Sequence, residues 1–221
     1  MNKELQKRIL SSLAIIPISL FFIIKGSLFF IFFLLTILIA TSYEWINLCK
    51  NKNLIKITGI IFLSLSFYLA YLLRIEEGYY VFIFILLISV FTDIGGYFFG
   101  KFLKGPKITK ISPNKTYAGV IGGLLAPLIV GLIYIEYILP IRLTLNFAIS
   151  FEKYINFDLY LIFIILIISI ISQIGDLVIS YFKRLANIKD TGKLIPGHGG
   201  LLDRIDGIIF AMPFSYLLLN L

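Results

Sequence analysis

Residues 159–182 read LYLIFIILIISIISQIGDLVISYF. This run is apolar almost throughout, and its one charged residue is Asp176. About 20 such residues cross the hydrocarbon core as a helix, so the run reads as a membrane span. Six further apolar segments lie outward from it, at 9–24, 27–43, 54–73, 79–99, 118–139 and 204–220. The first two are short and divided only by Lys25-Gly26-Ser27. A tight helical hairpin is expected there, with Lys25 reaching the far interface. The first segment starts with Lys3, Lys7 and Arg8, but no small-x-small cleavage site follows it. It is read as an uncleaved span rather than a removable signal.

The fold class expected is therefore an all-α polytopic membrane protein of about seven transmembrane helices. Composition agrees. Of 221 residues, 59% are hydrophobic, against about 45–50% in soluble domains. Phe (21) and Tyr (13) are abundant, as suits lipid contact and the interface. The formal net charge is +8. In a chain this apolar, that charge points to topology and anionic substrates, and no nucleic acid is expected. A cytoplasmic N-terminus with alternating sides leaves only Lys25, Arg74, Arg142 and Lys153, of 20 Lys and Arg residues, on the opposite face. The positive-inside rule favours that orientation. Cys49 is the single cysteine, which excludes an intramolecular disulfide and supports no zinc site. The chain is treated as one membrane domain over 1–221, with functional cytoplasmic loops at 100–117 and 183–203.

Ionisable residues within spans are costly and usually functional. Asp93 precedes Lys101 by eight residues, and Asp176 precedes Lys183 by seven. At about 1.5 Å per residue these are separations of about 12 and 10 Å, so both acids lie near the cytoplasmic helix ends. Asp203 and Asp206 open the last span from the same side. Four carboxylates at one depth suit a divalent-metal site, because Mg²⁺ takes carboxylate and phosphate oxygens together. Each could instead cap a helix or pair with Lys or Arg. That plainer reading is strongest for Asp203, at the start of a helix. Asp176, Ser180, Lys183 and Arg184 share one helical face. Gly95, Gly96 and Gly100 surround Asp93 and Tyr97, and packing or ligand approach would explain them equally.

The loop 100–117 carries Lys101, Lys104, Lys107, Lys110 and Lys115. Its Ser112-Pro113 turn, followed by Lys115-Thr116, leads into a helix start, which can hold an anion. From charge alone, an ordinary basic loop would explain it. The stretch from Ser180 to Asp206 is more specific. It contains Lys183, Arg184, Lys189, Asp190, Pro196-Gly197-His198-Gly199-Gly200, Asp203, Arg204 and Asp206. The glycines can bring backbone N–H groups to phosphates. His198, the only histidine, is restrained between them.

The pattern Ser180-x-apolar-Lys183-Arg184, Lys189-Asp190-x-small, apolar-Pro-x-His198-Gly-Gly-apolar-x-Asp203-Arg204-apolar-Asp206 resembles the phosphatidate cytidylyltransferase family at every fixed position. Asp93 with Tyr97, Ser112-Pro113-x-Lys115-Thr116 and Gly175-Asp176 add to the likeness, as does the Arg8…Pro17…Glu44-Trp45 pattern. Asn114 and Ala118 depart from it, where Lys and Glu are usual.

The resemblance implies transfer of CMP from CTP to phosphatidate, giving CDP-diacylglycerol and pyrophosphate. It implies an N-terminal hairpin over 1–48 and a catalytic portion over 79–206. It also implies Mg²⁺, and leaves open a second cation, monovalent or divalent. Asp93, Asp176, Asp203 and Asp206 would be metal ligands. Asp176, Asp203, Asp206 and His198 would be catalytic. Ser180, Lys183, Arg184, Lys189, Asp190, Arg204, Ser112, Lys115 and Thr116 would bind substrate. The site is expected at the cytoplasmic face of the cell (inner) membrane, with a homodimer left open. A CTP-dependent polyprenol kinase is the main alternative. An ion-coupled transporter would place its acids nearer the midplane.

Overall fold

Gly26 and Ser27, at the break between the first two apolar segments, have φ of +66° and +52°. Helix α1 (Lys3–Lys25) ends there and α2 (Ser27–Cys49) begins. The two helices fold back on each other, and the ring of Phe22 stacks on that of Phe33 at 5.4 Å. Glycine adopts this backbone without the penalty a Cβ brings. A Cβ at position 26 would also lie 2.8 Å from Nη2 of Arg74. Arg74, on α3 (Asn53–Glu76), donates to the carbonyls of Ile23 at 2.8 Å and Ile24 at 3.3 Å. Those carbonyls lie in the last turn of α1, which has no later residues to satisfy it.

This computed structural model describes residues 3–49, 52–109, 112, 115–138, 157–195, 197 and 199–220. After α3 come α4 (Gly78–Leu103), α5 (Tyr117–Tyr137), α6 (Phe157–Leu185) and α7 (Leu202–Leu219). Among the described residues no strand forms, and only two isolated bridges occur, Lys107 with Thr116 and Ile195 with Gly199. Among the described residues, five helices, α2 to α6, are long and apolar enough to cross a membrane. The expectation was about seven. The apolar part of α1, Ser11–Lys25, is shorter. Helix α7 has 18 residues and carries Asp203, Arg204 and Asp206 within its first five. Large apolar residues such as Leu28, Ile39, Ile61 and Ile129 are exposed, as befits helices that face lipid.

One core joins α1, α2, α3, α4, α6 and α7 through Ile23, Phe30, Leu73, Ile85, Ile165 and Met212. A second, around Trp45, Leu48, Leu63, Ile179, Leu202 and Ile209, joins α2, α3, α6 and α7. There the Trp45 indole N–H donates to the Ile55 carbonyl at 3.2 Å, and its ring meets Phe182 edge-on at 5.0 Å.

The most extensive helix pair is α4 with α5. Its backbones touch because Gly95, Gly119 and Gly122 lack side chains. A Cβ on Gly122 would overlap the ring of Phe99, and one on Gly119 would lie 2.8 Å from the Gly96 carbonyl oxygen. Small residues permit this approach in membranes. Of the glycines around Asp93, Gly95 therefore serves packing. Gly122→Val is expected to destabilise the fold by about 1–3 kcal/mol, as overpacking does. Gly96→Ala, whose Cβ would meet only the Gly119 carbonyl at 3.5 Å, should be nearly neutral. Thermal unfolding in detergent checks both.

Candidate active site

One face of α6 carries Ser169, Ser172, Gln173, Asp176 and Ser180, five polar residues within a stripe at helical spacing. It meets α7 closely. A Cβ on Gly175 would lie 2.8 Å from the Asp206 carbonyl oxygen, and one on Gly207 would overlap Ser172 Oγ. These two glycines draw the Asp176 turn of α6 and the Asp206 turn of α7 together. Asp206 is buried, with 6% exposure, and its Oδ1 accepts the Gly207 N–H at 2.9 Å.

Lys115 enters from the loop before α5. Its Nζ lies 2.6 Å from Asp176 Oδ2 and 3.5 Å from the Gln173 carbonyl oxygen. Ser180 donates to Asp176 Oδ1 at 3.3 Å. Asp93, on α4, is exposed, and the charges of Asp176, Lys115 and Arg204 act on it. Those of Asp176, Asp93 and Lys183 act on Asp206. Three carboxylates from α4, α6 and α7 thus share one electrostatic neighbourhood with Lys115 of the loop before α5, Lys183 of α6 and Arg204 of α7. Ser169 Oγ, Ser172 Oγ and Gln173 Nε2 are buried and have no hydrogen-bond partner among the described residues. Gln173 was not singled out from sequence.

Asp203 is deployed differently from the other three. Its Oδ1 lies 2.7 Å from Lys183 Nζ. Its Oδ2 accepts the N–H of Thr191 at 2.8 Å and the Gly200 N–H at 3.3 Å, and lies 3.1 Å from the Thr191 hydroxyl oxygen. Both oxygens are engaged in shaping the loop, as the plainer reading of this residue allows. Lys183 is half of that pair. Helix α6 ends just beyond it, where Asn187 takes a φ of +55°. The Ile188 N–H returns to the Lys183 carbonyl at 3.0 Å and the Asn187 N–H to the Arg184 carbonyl at 3.0 Å, which is a Schellman stop. Arg184, Lys189, Asp190 and Arg204 are exposed around the loop.

Ile195 and Gly199 exchange backbone hydrogen bonds of 3.0 and 3.2 Å, closing a tight turn in which Gly197 and Gly199 have φ of +79° and +92°. The expected role of His198 lies outside the described residues, as does Pro196. In the other loop, Thr116 caps α5: its Oγ1 accepts the Gly119 N–H at 3.1 Å. The Ser112 carbonyl accepts the Lys115 N–H at 3.1 Å. Ser112 and Thr116 thereby shape the turn from which Lys115 reaches the carboxylates.

Glu44, on α2, and Thr191, in the loop between α6 and α7, were not counted among the site residues on sequence, yet both are buried and hydrogen-bonded to each other. The usable signal for Glu44 was an acid at the end of an apolar run, the same signal that marked Asp93.

Among the described residues, no three Asp, Glu, His or Cys groups come together as a metal cage. Mg²⁺ needs none, since it is usually held by one or two carboxylates with substrate phosphates and water. Asp93, open to its surroundings, and Asp206, without the lysine partner that Asp203 has, fit that mode.

Residues 54–221 match the Cytidylyltransferase family. The chain is 37% identical to the phosphatidate cytidylyltransferase of Rickettsia prowazekii, over 97% of this chain and 92% of that protein. It is 33% identical to the one from Rickettsia conorii, over 96% and 89%. With the one from Bacillus subtilis it shares 40% identity over 59% of this chain and 44% of that protein.

Proposed function

Because the chain belongs to the Cytidylyltransferase family, we propose that it transfers CMP from CTP to phosphatidate, forming CDP-diacylglycerol and pyrophosphate. The observation that carries this reading is the Lys115–Asp176 contact beside Asp93 and Asp206, which joins the loop before α5 to three helices at one end of the bundle. Both reactants are polyanions, so positioning and charge neutralisation are what the site has to supply.

In this reading a phosphatidate phosphate oxygen attacks the α-phosphorus of CTP. A new P–O bond forms, and the bond from the α-phosphorus to the α–β bridging oxygen breaks. Pyrophosphate leaves with the electron pair. Lys115, Lys183, Arg184, Lys189 and Arg204 hold phosphates of the two substrates. Asp93 and Asp206 would hold Mg²⁺, with Asp176 beside them in its ion pair with Lys115, and the ion when bound would offset the charge that builds up on the leaving pyrophosphate. A second cation stays open, and His198 is kept as a catalytic candidate from the sequence alone.

A cavity of about 290 Å³ supports a lipid substrate. It is lined by Leu34, Phe67, Phe82, Ile205 and Met212 and extends to Ile195 and Leu201 of the loop. In the membrane, α1 and α7 complete seven spans with the N-terminus in the cytoplasm, and the basic loops put the site at the cytoplasmic face of the inner membrane.

The test uses membranes carrying this chain, phosphatidate, Mg²⁺ and CTP labelled on either the α or the γ phosphorus. Label should enter the lipid from the α position only. Label entering from the γ position would overturn the reading in favour of a CTP-dependent lipid kinase.

A further inference from the structure

Glu44 stands near the end of α2 with 1% exposure. Its Oε1 accepts the N–H of Leu201 at 2.9 Å. Its Oε2 accepts the N–H of Leu202 at 2.8 Å and the Thr191 hydroxyl at 2.9 Å. Leu201 and Leu202 are the N-cap and first residue of α7, and the N-cap makes no side-chain hydrogen bond of its own. A helix start leaves its first N–H groups without intrahelical partners, and a leucine offers no oxygen to take them. Glu44 supplies that oxygen from a helix 157 residues away in the chain. A carboxylate at this end also complements the helix dipole.

The loop is built to admit it. A Cβ on Gly192 would lie 2.9 Å from Glu44 Cδ. One on Gly200 would overlap Thr191 Oγ1 and lie 2.8 Å from Glu44 Oε2. Two glycines of the loop thus make room for a carboxylate. The same contacts continue inward. Thr191 Oγ1 is also 3.1 Å from Asp203 Oδ2, and Asp203 holds Lys183. One connected network therefore runs from α2 through the loop to the end of α6 and the start of α7. Four residues beyond Leu202 stands Asp206.

We propose that Glu44 is a positioning residue for nucleotidyl transfer, a cap supplied by α2 that sets where α7 begins and hence where Asp206 and Lys183 stand. The identity of the reaction rests on the function proposed above, whereas the clamp itself does not. Anchoring α2 by apolar contact would need no buried acid. Three directed hydrogen bonds instead hold the loop in one register, and a displacement of about 1 Å at a reacting centre can cost about 100-fold in rate.

The test compares the full chain with Glu44→Gln, Thr191→Val and the double variant in detergent. Steady-state kinetics with CTP is read beside amide hydrogen exchange. Glu44→Gln keeps an oxygen for one of the two backbone donors and turns an N–H₂ toward the other, where it cannot accept. It should lower kcat about 100-fold while KM for CTP changes less than about threefold, because phosphate ligands are untouched. The amides of Leu201 and Leu202 should lose protection while α4 and α5 keep theirs. Thr191→Val keeps the shape and should lower kcat about tenfold. The double variant should be no worse than Glu44→Gln alone, since both act on one network.

A Glu44→Gln enzyme with kcat within threefold of the parent, or with unchanged Leu201 and Leu202 protection, would overturn the proposal. Should that variant not fold, Thr191→Val decides, and an unchanged kcat there overturns it too. Should the parent chain show no cytidylyl transfer, the functional reading fails, and the exchange data still decide the clamp.

Discussion

Asp206→Asn is expected to lower the rate of CDP-diacylglycerol formation by about 1,000-fold without loss of fold. The carboxylate is buried on α7 and close enough to Asp176 and Asp93 for their charges to act on it. Like charges held together in a place of low dielectric repel, so removing one costs the empty site nothing in charge balance. An amide has nearly the same size and can still accept the Gly207 N–H that Asp206 Oδ1 takes at 2.9 Å. The loss would fall on the charge that helps hold the metal–triphosphate complex. Removing one preorganised electrostatic group typically costs about 10²–10³ in kcat. The expected result is an unfolding midpoint equal to or above the parent's, joined to a collapse of rate, as at other strained functional sites. Rates against CTP concentration and thermal unfolding in detergent measure the two. Activity within tenfold of the parent would remove Asp206 from the site.

Asp203→Ala should do the opposite and act first on stability. Lys183 and Asp203 have side-chain exposures of only 12% and 8%. Removing one partner of such a pair leaves a buried charge and costs about 3–5 kcal/mol. For a chain of this size that amounts to roughly 10 °C in the unfolding midpoint. The Thr191 and Gly200 N–H groups would lose their acceptor as well. Lys183→Met is expected to cost less, because Asp203 would keep those backbone donors. A larger loss for Lys183→Met than for Asp203→Ala would show that Asp203 does not organise the loop. Both variants should also be slow, since Lys183 is proposed to hold phosphate.

These two aspartates sit three residues apart on the same helical turn, and local sequence separates them only by marking Asp203 as the one at the helix start. Apolar length and helical spacing place both at the start of α7. What separates them is which donors come within reach. Asp203 faces Lys183 and the N–H groups of a folded loop, whereas Asp206 faces the turn of α6 that Gly175 and Gly207 bring close. Ser112, Lys115 and Thr116 divide in the same way. All three suit phosphate by residue type; in the fold Thr116 also accepts the Gly119 N–H as the cap of α5, and Lys115 spans to Asp176.

By itself, the sequence determined the helical class, the approximate position of each apolar helix and the gathering of acids at one end. Each of these follows from apolar run length, helical periodicity or charge, all of which are local along the chain. Helices α1 and α7 differ from the other five in length and composition, because one is short in apolar residues and the other carries three charges in its first turns. Only the tertiary structure decided that Gly95, Gly119 and Gly122 are a helix contact, that Asp203 is a loop organiser, and that Glu44 caps a helix far along the chain. A buried carboxylate bonds whichever unsatisfied donors the fold carries to it, and that choice is made in space, across separations of 12 to 158 residues.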